Sequence, residues 1–318
     1  MLNFLRENFR HNLNLFDYSL PSKINAVGRE CFALCKNLSK VDGFENIIEF
    51  SESSFEQTDL QKIVFNEKVE RIPNNCFSGC KNLKTITFPQ TLKFIGDYAF
   101  AGCESLEQIF IPDSVEYIGK SAFEYCKNLK KIHIPKNLFS ISDSCFFACE
   151  QLSSINLPNT IKQIEDYAFV GCACLKEVIL PEGIEKIGIA AFAFAWSLEK
   201  INIPSSVVEI NNQAFMCCTA MKNIVLSEGL QRIGNYAFED DYNLQQITLP
   251  ASLKVIGKRI FWGCEKLEKV VSLAKLPPKL KTHIFDNTNT NLKLFVSKES
   301  LKNYSIEKEW STAKIFEI

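Results

Sequence analysis

The sequence predicts a β-rich solenoid, a stack of one 23-residue unit made of short strands joined by helical or 3₁₀ turns. Three observations predict it. Phe77, Phe100, Phe123, Phe146, Phe169, Phe192, Phe215, Phe238 and Phe261 recur every 23 residues without a slip. Leu15, Leu38, Leu60, Leu83, Leu106, Leu129, Leu152, Leu175, Leu198, Met221, Leu244 and Leu267 head successive units at the same step, except for 22 residues between Leu38 and Leu60. Pro89, Pro112, Pro135, Pro158, Pro181, Pro204 and Pro250 stand at one fixed place after their heads. A unit this short cannot bury its own apolar face, and only stacking on like neighbours gives a continuous core.

Residues 1–14 admit two readings. Phe4 and Phe9 precede Leu15 by the offsets at which Ile72 and Phe77 precede Leu83, which makes the segment the back half of a cut repeat and places Met1 mid-array. Alternatively, Leu2, Leu5, Phe9 and Leu13 share one face of a short amphipathic capping helix. The array proper covers residues 15–270. In the unit headed by Leu83, the inward columns are Ile86, Phe88, Leu92, Ile95, Ala99, Phe100 and Cys103. Alternation at Ile86 and Phe88, repeated with β-branched residues at Ile109 and Ile111, reads as a short strand. Proline then ends it, having no N–H to give to a ladder. Residues 92–96 form a second extended piece, where Gly96, like Gly119, Gly188, Gly234 and Gly257, supplies a permissive backbone angle. Residues 97–103 read as one helical or 3₁₀ turn leading to the next head. Periodicity fails over residues 271–318. There Pro277 and Pro278 break the chain, and Phe285, Tyr304 and Trp310 offer apolar cover for a C-terminal capping module.

The 318 residues are 46% hydrophobic and 23% charged, the balance of a folded chain rather than a disordered one. Lys and Arg number 36 against 37 Asp and Glu, so no global field attracts nucleic acid or an anionic membrane. The longest uncharged apolar stretch, residues 187–196, is half a membrane span and lies inside a repeat, so no membrane insertion is expected. Arg6, Glu7 and Arg10 interrupt the apolar run that a secretory signal requires, and no export signal is expected. The cysteines follow the repeat. Cys35, Cys80, Cys103, Cys126, Cys149, Cys172, Cys218 and Cys264 share one column, and Cys31, Cys76 and Cys145 fill the column of Ala99. Buried free thiols behave as small hydrophobes, and one rung replaces the thiol with Ala195. No histidine stands near the CxxxC pairs, so neither a metal nor a cofactor is expected.

The pattern L-x-x-I-x-I-P-x-x-[VL]-x-x-I-G-x-x-A-F-x-x-C resembles the BspA-like, Treponema-type leucine-rich repeat over about residues 15–270. The resemblance implies a curved, right-handed leucine-rich-repeat solenoid with strands such as residues 84–88 on the concave face. The tail is similar to that family's closing module through Pro277-Pro278, Phe285, residues 292–296, Ser300, Tyr304 and Trp310, but it has Ser297 where a proline is usual. It also implies a secreted or cell-surface protein that adheres to other proteins.

Chemistry has few candidates. The only histidines are His11, His133 and His283, and no nucleophile elbow, phosphate loop, HExxH or EF-hand sequence occurs. Glu239, Asp240 and Asp241 read as a solvated turn rather than an acid/base pair. The expected function is therefore non-enzymatic binding of a protein ligand. Two surfaces are available for it. Phe110, His133, Ile179 and Val225 point outward from the strands, as contact residues or as lateral packing between rungs. Phe147, Val170, Phe194, Trp196 and Met216, with Ala173 and Ala193, replace polar residues in the turn after the Phe column. They either form an apolar contact patch, with a homodimer as one possible product, or tuck under their neighbours. The alternatives to an adhesion scaffold are a self-assembling spacer and an intracellular leucine-rich-repeat effector.

Overall fold

The computed structural model describes residues 2–5, 7–281 and 284–318, so the readings that touch Met1, Arg6 and His283 fall outside the described residues. The chain divides into two compact units, Met1–Thr160 and Ile161–Ile318. Each is a parallel β-solenoid. In the first, one face pairs Asp17–Ser19 with Lys40–Asp42, Lys62–Val64 with Thr85–Thr87, and Gln108–Phe110 with Lys131–His133. Its other face pairs Ala26–Val27 with Glu49–Phe50 and aligns Arg71–Ile72, Phe94–Ile95 and Tyr117–Ile118. In the second unit, one ladder runs from Glu177–Ile179 through Lys200–Ile203, Asn223–Leu226, Gln246–Leu249, Lys269–Ser272 and Lys293–Val296 to Lys314–Glu317. The other runs from Gln163–Ile164 to Lys279–Leu280.

The Phe column is the spine of each core. Phe32, Phe55, Phe77, Phe100, Phe123 and Phe146 stack through the first unit, and Phe169, Phe192, Phe215, Phe238 and Phe261 through the second, all fully buried. The 22-residue step leaves this column undisturbed. Phe55 and Phe77 still stack at 5.6 Å and 7°, because the missing residue is lost between Thr58 and Leu60, after the Phe. The thiols beside the rings are also hydrogen-bonded. Cys103 and Cys126 donate to the Phe77 and Phe100 carbonyls one rung back at 3.3 Å, and Cys218 does the same to Phe192. Thiols suit this column because they fill a small apolar space and give a second donor to a carbonyl that already accepts a backbone N–H. Burial pushes the Cys80 thiol up to about 11 and that of Cys126 to about 12, which keeps them protonated and inert.

Two sequence expectations need correction. Residues 97–103 are a string of tight turns and not a helical turn, with Tyr98 at φ 55° and Gly102 at φ 70°. Ala99, Ala101 and Cys103 close back onto Gly96, Tyr98 and Phe100, whereas Tyr98, Phe100 and Gly102 donate forward to Lys120, Ala122 and Glu124 of the next rung. A 3₁₀ turn would direct every donor inward. Here alternate donors bind the neighbouring rung, which the left-handed residues make possible. Nor is Gly96 or its column in the left-handed region. A Cβ on Gly188 would lie 2.5 Å from the Glu165 carbonyl carbon and 2.6 Å from the Asp166 nitrogen. These glycines allow close approach between rungs, not an unusual angle.

Both ends continue the pattern in altered form. No helix occurs among the described residues before Leu15; instead Phe9 donates its N–H to Cys31 at 2.8 Å and stacks on Phe32 at 5.2 Å, contacts that interior rungs repeat. At the other end Phe285 stacks on Phe261 at 6.2 Å, and Trp310 meets Phe285 edge-on. Trp310 Nε1 donates to the Pro278 carbonyl, and Tyr304 Oη lies 2.6 Å from Ser272 Oγ.

Candidate functional site

The strand face positions its residues by simple alternation. In Gln108–Phe110 the middle residue Ile109 is buried and its neighbours face solvent, so Phe110 is 64% exposed. The next strand brings His133 against it, with ring centroids 4.7 Å apart and planes within 8°. His133 Nε2 lies 3.0 Å from Asp113 Oδ1, and Lys136 Nζ lies 3.0 Å from Asp113 Oδ2. The hydrogen bond to His133, then that to Lys136, holds the Asp113 carboxyl down to about 2. The group is thus a stacked aromatic pair with an ion pair beside it, on the strand face of the first unit. In the second unit the same alternation leaves Ile179 70% and Val225 58% exposed, with the polar Asn202 on the strand between them. No core position requires either side chain.

The turn surface is less uniform. Phe194 and Trp196 are exposed in the second unit, Trp196 to 54%. Met216 is half-buried beside them along the chain's next rung, and its sulfur accepts a hydrogen bond from Gln213 Nε2 at 3.4 Å. Val170 and Ala193 are buried, at 9% and 1% exposure, and so add nothing to a contact surface. They sit where the chain folds under the neighbouring turn, as Ala33 and Ala101 do in the first unit. Phe147, in the first unit, is half-buried with its ring edge-on to Tyr125 at 5.5 Å. Of the five apolar residues Phe147, Val170, Phe194, Trp196 and Met216, Phe194 and Trp196 are the exposed ones.

Sequence reasoning missed one group. Asp241 reads with Glu239 and Asp240 as part of a solvated turn, yet it is fully buried. It lies 20 residues after Met221, which is the thiol column, so counting from the head locates it. Among the described residues no three His, Cys, Asp or Glu side chains gather where they could hold a metal ion.

The repeat geometry and the pattern of inward columns agree with one known family. The BspA type leucine rich repeat region matches residues 4–127, 93–218 and 185–309, as six copies. The chain belongs to that family. BspA-type repeats form a non-enzymatic scaffold. A leucine-rich repeat protein of Bacteroides ovatus is 25% identical, with a TM-score of 0.65 over 99% of this chain and 94% of that one. A leucine rich cell surface protein of Faecalibacterium prausnitzii is 26% identical, with a TM-score of 0.57 over 83% of this chain and 74% of the other. The pneumococcal vaccine antigen PcpA, at 22% identity and a TM-score of 0.66 over 95% and 79% of the two chains, shares the fold. No curated protein matches the chain. Among the described residues no helix is long and apolar enough to cross a membrane.

Proposed function

We propose that this BspA-type chain is a surface-associated adhesion scaffold whose strand face binds a protein ligand. The observation that carries the reading is the exposure of Ile179 and Val225, large apolar side chains on strands whose buried residues are Val178 in the one and Ile224 and Leu226 in the other. Exposed apolar groups rimmed by polar ones favour protein contacts. The description of the Faecalibacterium relative as a cell surface protein supports the location. Beads coated with the full chain should adhere to at least one of immobilised collagen, laminin and fibronectin. Changing Ile179→Lys together with Val225→Lys should reduce adhesion about tenfold or more without altering the melting curve. Undiminished adhesion by that variant would remove the strand face from the function, and no adhesion by the wild type would remove the function itself.

Trp196 supports a second reading, self-assembly through the turn surface, because an exposed indole beside Phe194 is a strong contact group. Light scattering should then show a concentration-dependent dimer that Trp196→Glu abolishes. A wild-type chain that stays monomeric at every concentration excludes it.

A further inference from the structure

The near-zero net charge conceals a polarity along the sequence. Residues 250–318 hold 13 Lys and Arg against 7 Asp and Glu, so this end is cationic. Part of the excess is ordered. Lys269 aligns with Lys293, and Lys293 with Lys314, on three parallel strands, and all three side chains are exposed. Their Cα atoms therefore recur at roughly the 4.8 Å strand spacing along one face. One column away, Val271, Phe295 and Phe316 align in the same manner.

Like charges facing one another across a sheet are unfavourable. Other places in the chain relieve this: Glu177 aligns with Lys200, and Arg232 pairs with Glu209. Among the described residues Lys269, Lys293 and Lys314 have no such relief, since none of them forms an ion pair. Two rest on rings instead. Lys269 Nζ is 5.1 Å from the Phe295 centroid and Lys293 Nζ 5.8 Å from that of Phe316. Cation–π contact positions these two ammonium groups without supplying a counter-charge.

We propose that this strip is a second binding site, for an acidic, extended polypeptide segment with interspersed apolar side chains. Carboxylates neutralise the lysine file, and the apolar side chains cover Val271 and the open edge of Phe316. Charge complementarity selects the anion, and the rings select its class. Single-stranded nucleic acid is held by bases stacked on open aromatic faces, whereas here the protein's own ammonium groups lie over the faces of Phe295 and Phe316. Arginine, the residue suited to forked contact with phosphate, is absent from all three positions. The site is independent of the adhesion reading, because Thr248 separates Val271 from Val225 along the column.

The test measures fluorescence anisotropy of two short labelled peptides against the full chain, one alternating Glu with Leu and Ser, the other carrying Gln in place of Glu. The Glu peptide should bind the wild type, more weakly at high salt, and the Gln peptide should not. A triple variant, Lys269→Gln, Lys293→Gln and Lys314→Gln, should lose about tenfold or more in affinity. A control of equal charge change on another surface, Lys254→Gln, Lys275→Gln and Lys279→Gln, should keep it. Both sets replace exposed side chains, and circular dichroism checks that they fold. The proposal is overturned if the wild type ignores the Glu peptide, if the two triple variants lose affinity equally, or if an oligothymidylate of the same charge binds more tightly than the peptide.

Discussion

A carboxylic acid occupies a place built for a thiol at Asp241. Its Oδ1 accepts the Cys218 N–H at 2.7 Å, while Oδ2 has no hydrogen-bond partner among the described residues. Burial, followed by the nearby Asp240 charge, raises its pKa well above the ordinary 3.8, against the pull of the Cys218 amide. The folded chain therefore keeps this acid neutral where the unfolded chain ionises it. A raised carboxyl pKa gives stability that is complete below the unfolded value and is lost as pH climbs from there toward the folded value. Asp241→Cys, which restores the residue of its column, should raise the melting temperature at neutral pH. The gain should shrink as the pH falls through about 4, the range in which the unfolded carboxyl also takes up its proton. Melting curves separated by the same amount at every pH would show that another group governs the effect. The sequence concealed this residue because Glu239, Asp240 and Asp241 together look like a hydrated turn, and only register, not composition, separates the third from the other two.

Elements in this protein are defined by the rung beside them more than by their own residues. The glycine column illustrates this. The sequence singles out Gly188 by its column but not the reason for it, because a single strand gives no information on how near its neighbour lies. The backbone of Glu165 and Asp166 fills the space that a side chain would need. Gly188→Ala should therefore cost about 1 to 3 kcal/mol through overpacking, read as a lower midpoint in urea unfolding. A midpoint equal to wild type would mean that rung spacing yields easily. The turns show the same limit: apolar spacing over residues 97–103 is compatible with a helical turn, and only the next rung shows where Tyr98, Phe100 and Gly102 send their N–H groups.

For the whole molecule, the stack itself was legible, since Phe and head columns at constant step leave few other folds open. The lysine file was not. Its steps, 24 residues from Lys269 to Lys293 and 21 from there to Lys314, depart from the period that made the other columns visible. The same irregular tail is the proposed cap. Phe285, Tyr304 and Trp310 gather beyond Phe261 at the end of the Phe column of the second unit. Truncation after Val271 should expose the Phe261 ring, leading to aggregation or to early melting of the final rungs. A soluble monomer with an unchanged melting temperature would assign the tail to recognition instead.

The forward-reaching amides of the turns give every rung two unlike sides. In residues 97–103 three N–H groups point to the following rung, while three carbonyls, those of Asp97, Ala99 and Ala101, receive N–H groups from the rung before. A rung inverted, or cut part-way, would confront donors with donors and strand each buried amide at roughly 1 to 3 kcal/mol. Array length is therefore quantised. Duplication or loss of one complete turn rejoins matching sides and leaves the rest undisturbed, so such proteins can change reach by whole steps while fractional insertions must be confined to loops.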